Sequence, residues 1–280
     1  MALALDRGIP ESTAGDVLEA PPHEAPHYLS IGDEVAIFEA AAVNRLPILL
    51  QGPTGCGKTR FVRHMAWRLG RPLVTVSCHD DLSASDLTGR FLVEGGETRW
   101  HDGPLTQAVR TGAIAYLDEV VEARQDTVVV LHPLADDRRV LPLEKRGELV
   151  HAHPEFQLVV SCNPGYQSLA KELKPSTRQR FVTIHFDLPG ADQETAIVVA
   201  ETGATRALAA QLVQVATRIR PLRDRGLTEA PSTRLLVQTA TLILAGIAPR
   251  RAVETALAAP LTDDPELLAT IHEIVAGVLG

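Results

Sequence analysis

Apolar positions along the chain fall into two regimes. Between Tyr28 and Pro189, short unbroken apolar runs alternate with stretches whose apolar residues recur every three or four positions. The runs are Pro47 to Gln51, Leu73 to Ser77, Ala113 to Asp118, Gln157 to Ser161 and Val182 to Phe186. Runs of this length without a polar face belong in a parallel sheet covered on both sides. The pattern therefore predicts an α/β domain over residues 28–188, a parallel sheet flanked by helices. After Pro189 no such run recurs. Leu208, Leu212, Val215 and Ile219 keep helical spacing, as do Leu235, Leu236, Thr239 and Ile243, and Leu267, Leu268, Ile271, Ile274 and Val275. Pro221, Pro231, Pro249, Pro260 and Pro265 punctuate them at helix boundaries. A small all-helical C-terminal domain over 189–280 follows. Residues 1–27 carry Pro10, Pro21, Pro22 and Pro26 and no apolar period, which reads as a flexible arm.

Composition narrows the class. With 280 residues, 45% hydrophobic and 22% charged, the chain is an ordinary globular protein. No run approaches the ~18 apolar residues of a membrane span. Asp6, Glu11 and Asp16 occupy the place where an export signal would be basic, so the expected location is the cytoplasm. Cys56, Cys78 and Cys162 are too scattered for a disulfide framework. The net charge of −8 argues against a broad grip on nucleic acid.

The chemistry concentrates in three places. Gly52-Pro53-Thr54-Gly55-Cys56-Gly57-Lys58-Thr59 follows the first strand run and opens a helical pattern through Phe61, Val62, Met65, Ala66 and Leu69. This is G-x-x-x-x-G-K-[ST] in the strand-to-helix context it requires. Backbone N–H groups of such a loop wrap a polyphosphate, Lys58 reaches its terminal phosphates, and Thr59 offers a hydroxyl to Mg²⁺. Cys56 reads either as a small residue that fits the turn or as a thiol activated by the helix N-terminus. Sixty residues after Lys58, an apolar run ends in Leu117-Asp118-Glu119. Asp118 there is suited to hold Mg²⁺ through water and Glu119 to polarise an attacking water; the alternative is a solvated strand end. Asn163 follows the next run, expected to lie beside the Asp118 strand, where an amide can position that water. Asn-Pro-Gly is also an ordinary turn sequence.

The ordered set, with Arg178-Gln179-Arg180-Phe181 and a helical lid after it, resembles an AAA+ ATPase, and more narrowly the MoxR branch and its CbbQ/NirQ/NorQ group. The segments that carry this are residues 52–62, 78–90, 99–105, 116–126, 132–150 and 163–169. The resemblance implies ATP and Mg²⁺ as cofactors. It places Arg180 at the arginine-finger position, Arg178 as a second finger, and Arg234 of Pro231-Ser232-Thr233-Arg234 at the sensor-2 position of the lid. A guanidinium aimed at the transferring phosphoryl group stabilises the charge that accumulates there. A solvated basic turn is the alternative for Arg178 and Arg180. The resemblance also implies a homo-oligomeric ring, a hexamer, a von Willebrand A-domain adaptor, and a client enzyme that the ring remodels. That client is Rubisco for CbbQ-like members and nitric oxide reductase for NorQ- and NirQ-like members.

Residues 90–100 read as a β-hairpin about Gly95-Gly96, and residues 139–150 as a second about Lys145-Arg146-Gly147. In the MoxR branch the first faces the pore of the ring, where Phe91, Leu92 and Trp100 would grip a substrate segment, although aromatics near a hairpin also pack locally. The histidines His79, His101, His151 and His153 lack the spacing of a zinc site. A stand-alone P-loop kinase or GTPase is a competing reading. No Asn-Lys-x-Asp for guanine occurs, and a kinase has no need of the Asp-Glu strand end, Asn163 or a finger. A nucleic-acid motor is opposed by the acidic balance.

Overall fold

The structure, a computed structural model, describes residues 18–22, 24–163 and 173–279. The first 17 residues of the expected arm, His23, and Pro164 to Leu169 of the last family segment lie outside the described residues.

Two faces of one sheet dictate the architecture. In chain order its strands and flanking elements are β1 (Leu18–Glu19), α1 (Glu34–Val43), β2 (Ile48–Gln51), α2 (Lys58–Leu69), β3 (Leu73–Ser77), α3 (Ala84–Thr88), β4 (Gly89–Glu94), β5 (Glu97–Asp102), α4 (Pro104–Thr111), β6 (Ile114–Asp118), α5 (Gln125–Val129), β7 (Val140–Leu143), β8 (Glu148–His151), β9 (Gln157–Cys162), α6 (Pro175–Arg178) and β10 (Val182–His185). The sheet order is β1-β3-β6-β9-β2-β10, parallel throughout except for β1. Alternate residues along the strands serve opposite cores. Leu49, Ala115, Leu117, Leu158 and Val160 pack with α3, α4 and the segment through Leu131 and Leu134. Ile48, Leu50, Ile114, Tyr116 and Val159 pack with Phe38 of α1 and Phe61, Val62 and Met65 of α2. Both faces are therefore dry, which is why the strand runs carry no polar alternation.

The two expected hairpins form. β4 and β5 pair from Gly89↔Asp102 to Glu94↔Glu97, and β7 and β8 from Val140↔His151 to Leu143↔Glu148. The expectation of a free arm requires correction over its described part. Leu18 and Glu19 add an antiparallel edge strand opposite Val74 and Leu73, a two-residue main-chain pairing too short to leave a hydrophobic period.

The C-terminal region is all helical: α7 (Ala191–Thr202), α8 (Arg206–Ile219), α9 (Thr233–Leu244), α10 (Pro249–Val253) and α11 (Pro265–Leu279). Leu212, Val215, Ile219, Leu236, Ile271 and Val275 close its own core. No helix among the described residues is long and apolar enough to cross a membrane.

Candidate functional site

Parallel register gathers the expected residues at one edge of the sheet. Gln51 lies opposite Cys162 and Ser77 opposite Asp118, so the loop after β2, the end of β6 and the end of β9 meet at the carboxyl edge, where open α/β sheets bind ligands. The loop turns from β2 into α2 between Gly52 and Gly57. Gly52 admits no side chain, because a Cβ would stand 2.3 Å from the Phe186 carbonyl oxygen. Gly55 has φ +72°, and a Cβ there would come within 2.6 Å of Ser232, at the threshold of α9.

Lys58 is buried, and its Nζ donates to the carbonyls of Gly52 (2.8 Å) and Pro53 (2.9 Å) and to Asn163 Oδ1 (2.7 Å). Three acceptors compensate the desolvated ammonium. The Asn163 amide donates in turn to Glu119 Oε1 (2.8 Å) and Thr54 Oγ1 (3.3 Å). One asparagine thus ties the phosphate-loop lysine to the carboxylate read as the water activator.

On the other side of the strand end, Thr59 Oγ1 lies 3.3 Å from Asp118 Oδ2. The Tyr116 hydroxyl donates to Asp118 Oδ1 at 2.7 Å, and the Ser161 hydroxyl donates to the same oxygen. Ser161 Oγ also accepts the Glu119 N–H at 2.9 Å. A threonine hydroxyl facing a strand-end carboxylate is a pair of hard oxygen donors, the chemistry Mg²⁺ takes when it keeps most of its waters. The residues present fit that ion. Tyr116 and Ser161 were not singled out from the sequence. Tyr116 is two residues before Asp118, and Ser161 two before Asn163, and that period-2 spacing on a buried strand is the signal that could have found them.

A cavity of about 900 Å³ opens over these groups, within the range of small-molecule sites. Its polar end is the loop with Asp118, Glu119, Asn163 and Arg234; its apolar end is Tyr28, Leu29, Ile31 and Val237. The apolar end is held by a residue the sequence did not single out. Glu34 accepts from the Tyr28 hydroxyl (2.7 Å), the Ser30 hydroxyl (2.8 Å) and the N–H groups of Ile31 and Gly32 (2.8 Å each). Burial works against its charge, but the Tyr28 hydroxyl and the other donors outweigh it and hold the carboxyl below the ordinary carboxylate range. The second side of the entrance is a bidentate pair of Arg60 on α2 with Glu201 on α7, its Nη2–Oε2 leg 2.7 Å long.

The cysteines ring the site without being activated. Burial pushes the Cys56 thiol up despite the nearby Lys58 ammonium, and does the same to Cys162. Burial, with the Asp118 and Glu119 charges behind it, pushes Cys78 up to about 12. The turn-fitting reading of Cys56 is the one consistent with this.

Arg178 and Arg180 are not brought to this cavity. Arg180 is half-buried, its Nη1 donating to Ser176 O at 2.6 Å, and α6 is tied down by His132 Nε2 against Thr177 Oγ1 at 3.0 Å. In the first hairpin, Phe91 and Trp100 face each other across the strands with ring centres 5.1 Å apart. Phe91 and Val93 are exposed, whereas Leu92 points to the opposite side and Trp100 donates to Asp102 Oδ1 at 2.6 Å. The exposed pair is therefore Phe91 with Val93, in place of the expected trio with Leu92.

Comparison with known proteins places both halves. Residues 47–181 match the model of an AAA domain (dynein-related subfamily), and residues 194–278 that of the CbbQ/NirQ/NorQ C-terminal region. The chain is 59% identical to Protein NorQ of Paracoccus denitrificans, over 92% of this chain and 95% of that one. It is 60% identical to Protein CbbQ of Hydrogenophilus thermoluteolus, over 86% and 91%, and 58% identical to the Denitrification regulatory protein NirQ of Pseudomonas aeruginosa, over 89% and 96%. Among solved structures, a RuvB mutant of Thermotoga maritima superposes with a TM-score of 0.56 at 15% identity, covering 91% of this chain and 74% of that one, a likeness of fold alone.

Proposed function

This chain belongs to the CbbQ/NirQ/NorQ family of AAA ATPases, and from that premise we propose that it works as a ring, a hexamer, whose ATP hydrolysis remodels a client enzyme reached through a von Willebrand A-domain adaptor. The observation that carries the catalytic part is the Asn163 amide, bonded at once to Lys58 and Glu119. In this reading the loop N–H groups from Gly52 to Thr59 and the α2 N-terminus wrap the triphosphate, and Lys58 leaves its carbonyl partners for the terminal phosphates. Thr59 and Asp118 would hold Mg²⁺, which would supply positive charge against the terminal phosphates. Asn163 orients the attacking water and Glu119 takes its proton. Arg234 reaches the phosphates from the lid, and Arg180, with Arg178 beside it, completes the site of the neighbouring subunit.

Rubisco is the client we favour; nitric oxide reductase is the second reading, supported by the likeness to a denitrification regulatory protein. A stand-alone kinase gives no use for Asn163 or Arg180. The net charge of −8 weighs against the nucleic-acid motor.

The test separates binding from chemistry. Glu119→Gln retains ATP with affinity near that of the unaltered protein while hydrolysis falls by roughly a hundredfold or more, whereas Lys58→Ala loses affinity itself. Binding of a fluorescent ATP analogue and steady-state phosphate release measure the two. Equal loss of affinity in both variants contradicts the assignment.

A further inference from the structure

The lid contains a buried carboxylate that the catalytic reading leaves unused. Glu194, in the first turn of α7, has no exposed surface. Its Oε1 accepts from Arg220 Nη2 at 2.6 Å and from the Thr233 hydroxyl at 2.8 Å, while its Oε2 is buried without a hydrogen-bond partner. Arg220, just past the end of α8, also donates to the Pro231 carbonyl from Nε (3.3 Å) and Nη2 (3.2 Å). Three helices are tied by this pair: α7 through Glu194, α8 through Arg220, and α9 through Pro231 and Thr233, at its threshold.

Stability alone does not account for such an arrangement. Two charges taken out of water are seldom worth more than apolar residues of the same volume, and a carboxylate oxygen left dry costs free energy. What the pair does is fix a short stretch of main chain from Pro231 to Thr233. That stretch touches the phosphate loop, since Ser232 is the residue that forbids a side chain on Gly55. The next residue is Arg234, whose Cβ is 3.4 Å from where a Gly55 Cβ would stand and whose side chain lines the cavity. A shift of about 1 Å in a group that meets the transition state is enough to cost as much as a hundredfold in rate.

We propose that Glu194 is a positioning residue for ATP hydrolysis: paired with Arg220, it pins the start of α9 and so sets Arg234 over the phosphate loop. The inference rests on the role given to Arg234 above, and its test keeps the two apart.

The test is a double-mutant cycle on the full chain, read as kcat, ATP affinity and Tm. One arm exchanges the pair for an apolar one, Glu194→Leu with Arg220→Met; the other is Arg234→Ala. The apolar exchange should leave Tm near that of the unaltered protein and ATP affinity within about twofold, yet lower kcat by roughly tenfold. In the Arg234→Ala background the same exchange should lower kcat no further, because the residue it positions is gone. Glu194→Gln, which keeps volume and an acceptor oxygen, is run through the same cycle, so that a misfolded double exchange leaves the question decidable. Losses that multiply across the cycle, an unchanged kcat, or a kcat loss that follows Tm through every variant overturn the proposal. Should Arg234→Ala alone leave kcat untouched, the role of Arg234 fails first, and the positioning role with it.

Discussion

Asp118 and Glu119 are neighbours in the chain yet face different partners, and the backbone explains how. Asp118 ends β6 in extended conformation, its side chain on the Thr59 side, while Glu119 adopts φ +57°, a left-handed turn that a non-glycine residue reaches at some cost. The Ser161 hydroxyl bridges the two, accepting the Glu119 N–H and donating to Asp118. The pair was legible in the sequence because it ends an apolar run; Ser161 was not, because its importance depends on register between β6 and β9, which a single chain does not spell out. The same limit hid Glu34, whose four donors all come from the six residues before it but whose value lies in the cavity wall they form. Titration behaviour also belongs to this scale. The thiols of Cys56, Cys78 and Cys162 and the phenols of Tyr28 and Tyr116 are all pushed up chiefly by burial. Above about pH 8.5 the unfolded chain therefore loses thiol protons that the folded chain keeps, and stability falls with rising pH through that window, towards about pH 12 for Cys78. Melting scans between pH 7.5 and 10.5 should show a steadily falling Tm, and iodoacetamide at pH 8 should label the native thiols far more slowly than the unfolded ones. A flat or rising Tm across that range contradicts the burial argument.

At the scale of elements, the parallel strands and both hairpins were readable because each is encoded locally, by an apolar run or by a glycine-bearing turn between strand-forming residues. β1 was not, since two residues of edge pairing draw on main-chain hydrogen bonds and leave no side-chain signature. In the first hairpin, alternation puts Leu92 on the face opposite to Phe91, and the cross-strand pairing Phe91↔Trp100 and Leu92↔Arg99 adds which residues share each face. Trp100 is spent partly on the domain, packing against the core beneath it, so the exposed apolar pair on this hairpin, the one proposed to meet a client, is Phe91 with Val93. An aromatic anchor of an interface is worth about 2 kcal/mol when truncated. Phe91→Ala should then weaken client-dependent stimulation of the ATPase, with the apparent client affinity falling roughly thirtyfold, and leave unstimulated turnover near its starting value. Titrating the proposed client and adaptor into the variant measures this; loss of the unstimulated rate to the same degree would assign Phe91 to the fold.

For the whole molecule, the role proposed for Arg180 distinguishes a self-sufficient enzyme from an assembly. Arg180 lies outside the cavity of its own chain, on a segment anchored by the His132 to Thr177 hydrogen bond and by its own contact with Ser176. In the proposed ring, an arginine that lies outside the cavity of its own chain is placed to serve a site on an adjacent copy, and a closed ring supplies one such neighbour to every subunit. Specific activity per subunit should accordingly rise with protein concentration as rings form, where a monomeric enzyme would give a constant value. Complementation makes the argument sharper. Arg180→Ala subunits keep an intact cavity and lack the finger, whereas Glu119→Gln subunits keep the finger and lack the activating carboxylate, so each homogeneous ring is inactive. In a one-to-one random mixture, about a quarter of the interfaces place an intact cavity against an intact finger. Hydrolysis should return to at most roughly that share of the unaltered rate, and vary with the mixing ratio as the product of the two fractions. Mixed rings that form and stay silent at every ratio would remove Arg180 from the neighbouring site, and a homogeneous Arg180→Ala ring at full activity would remove it from hydrolysis altogether.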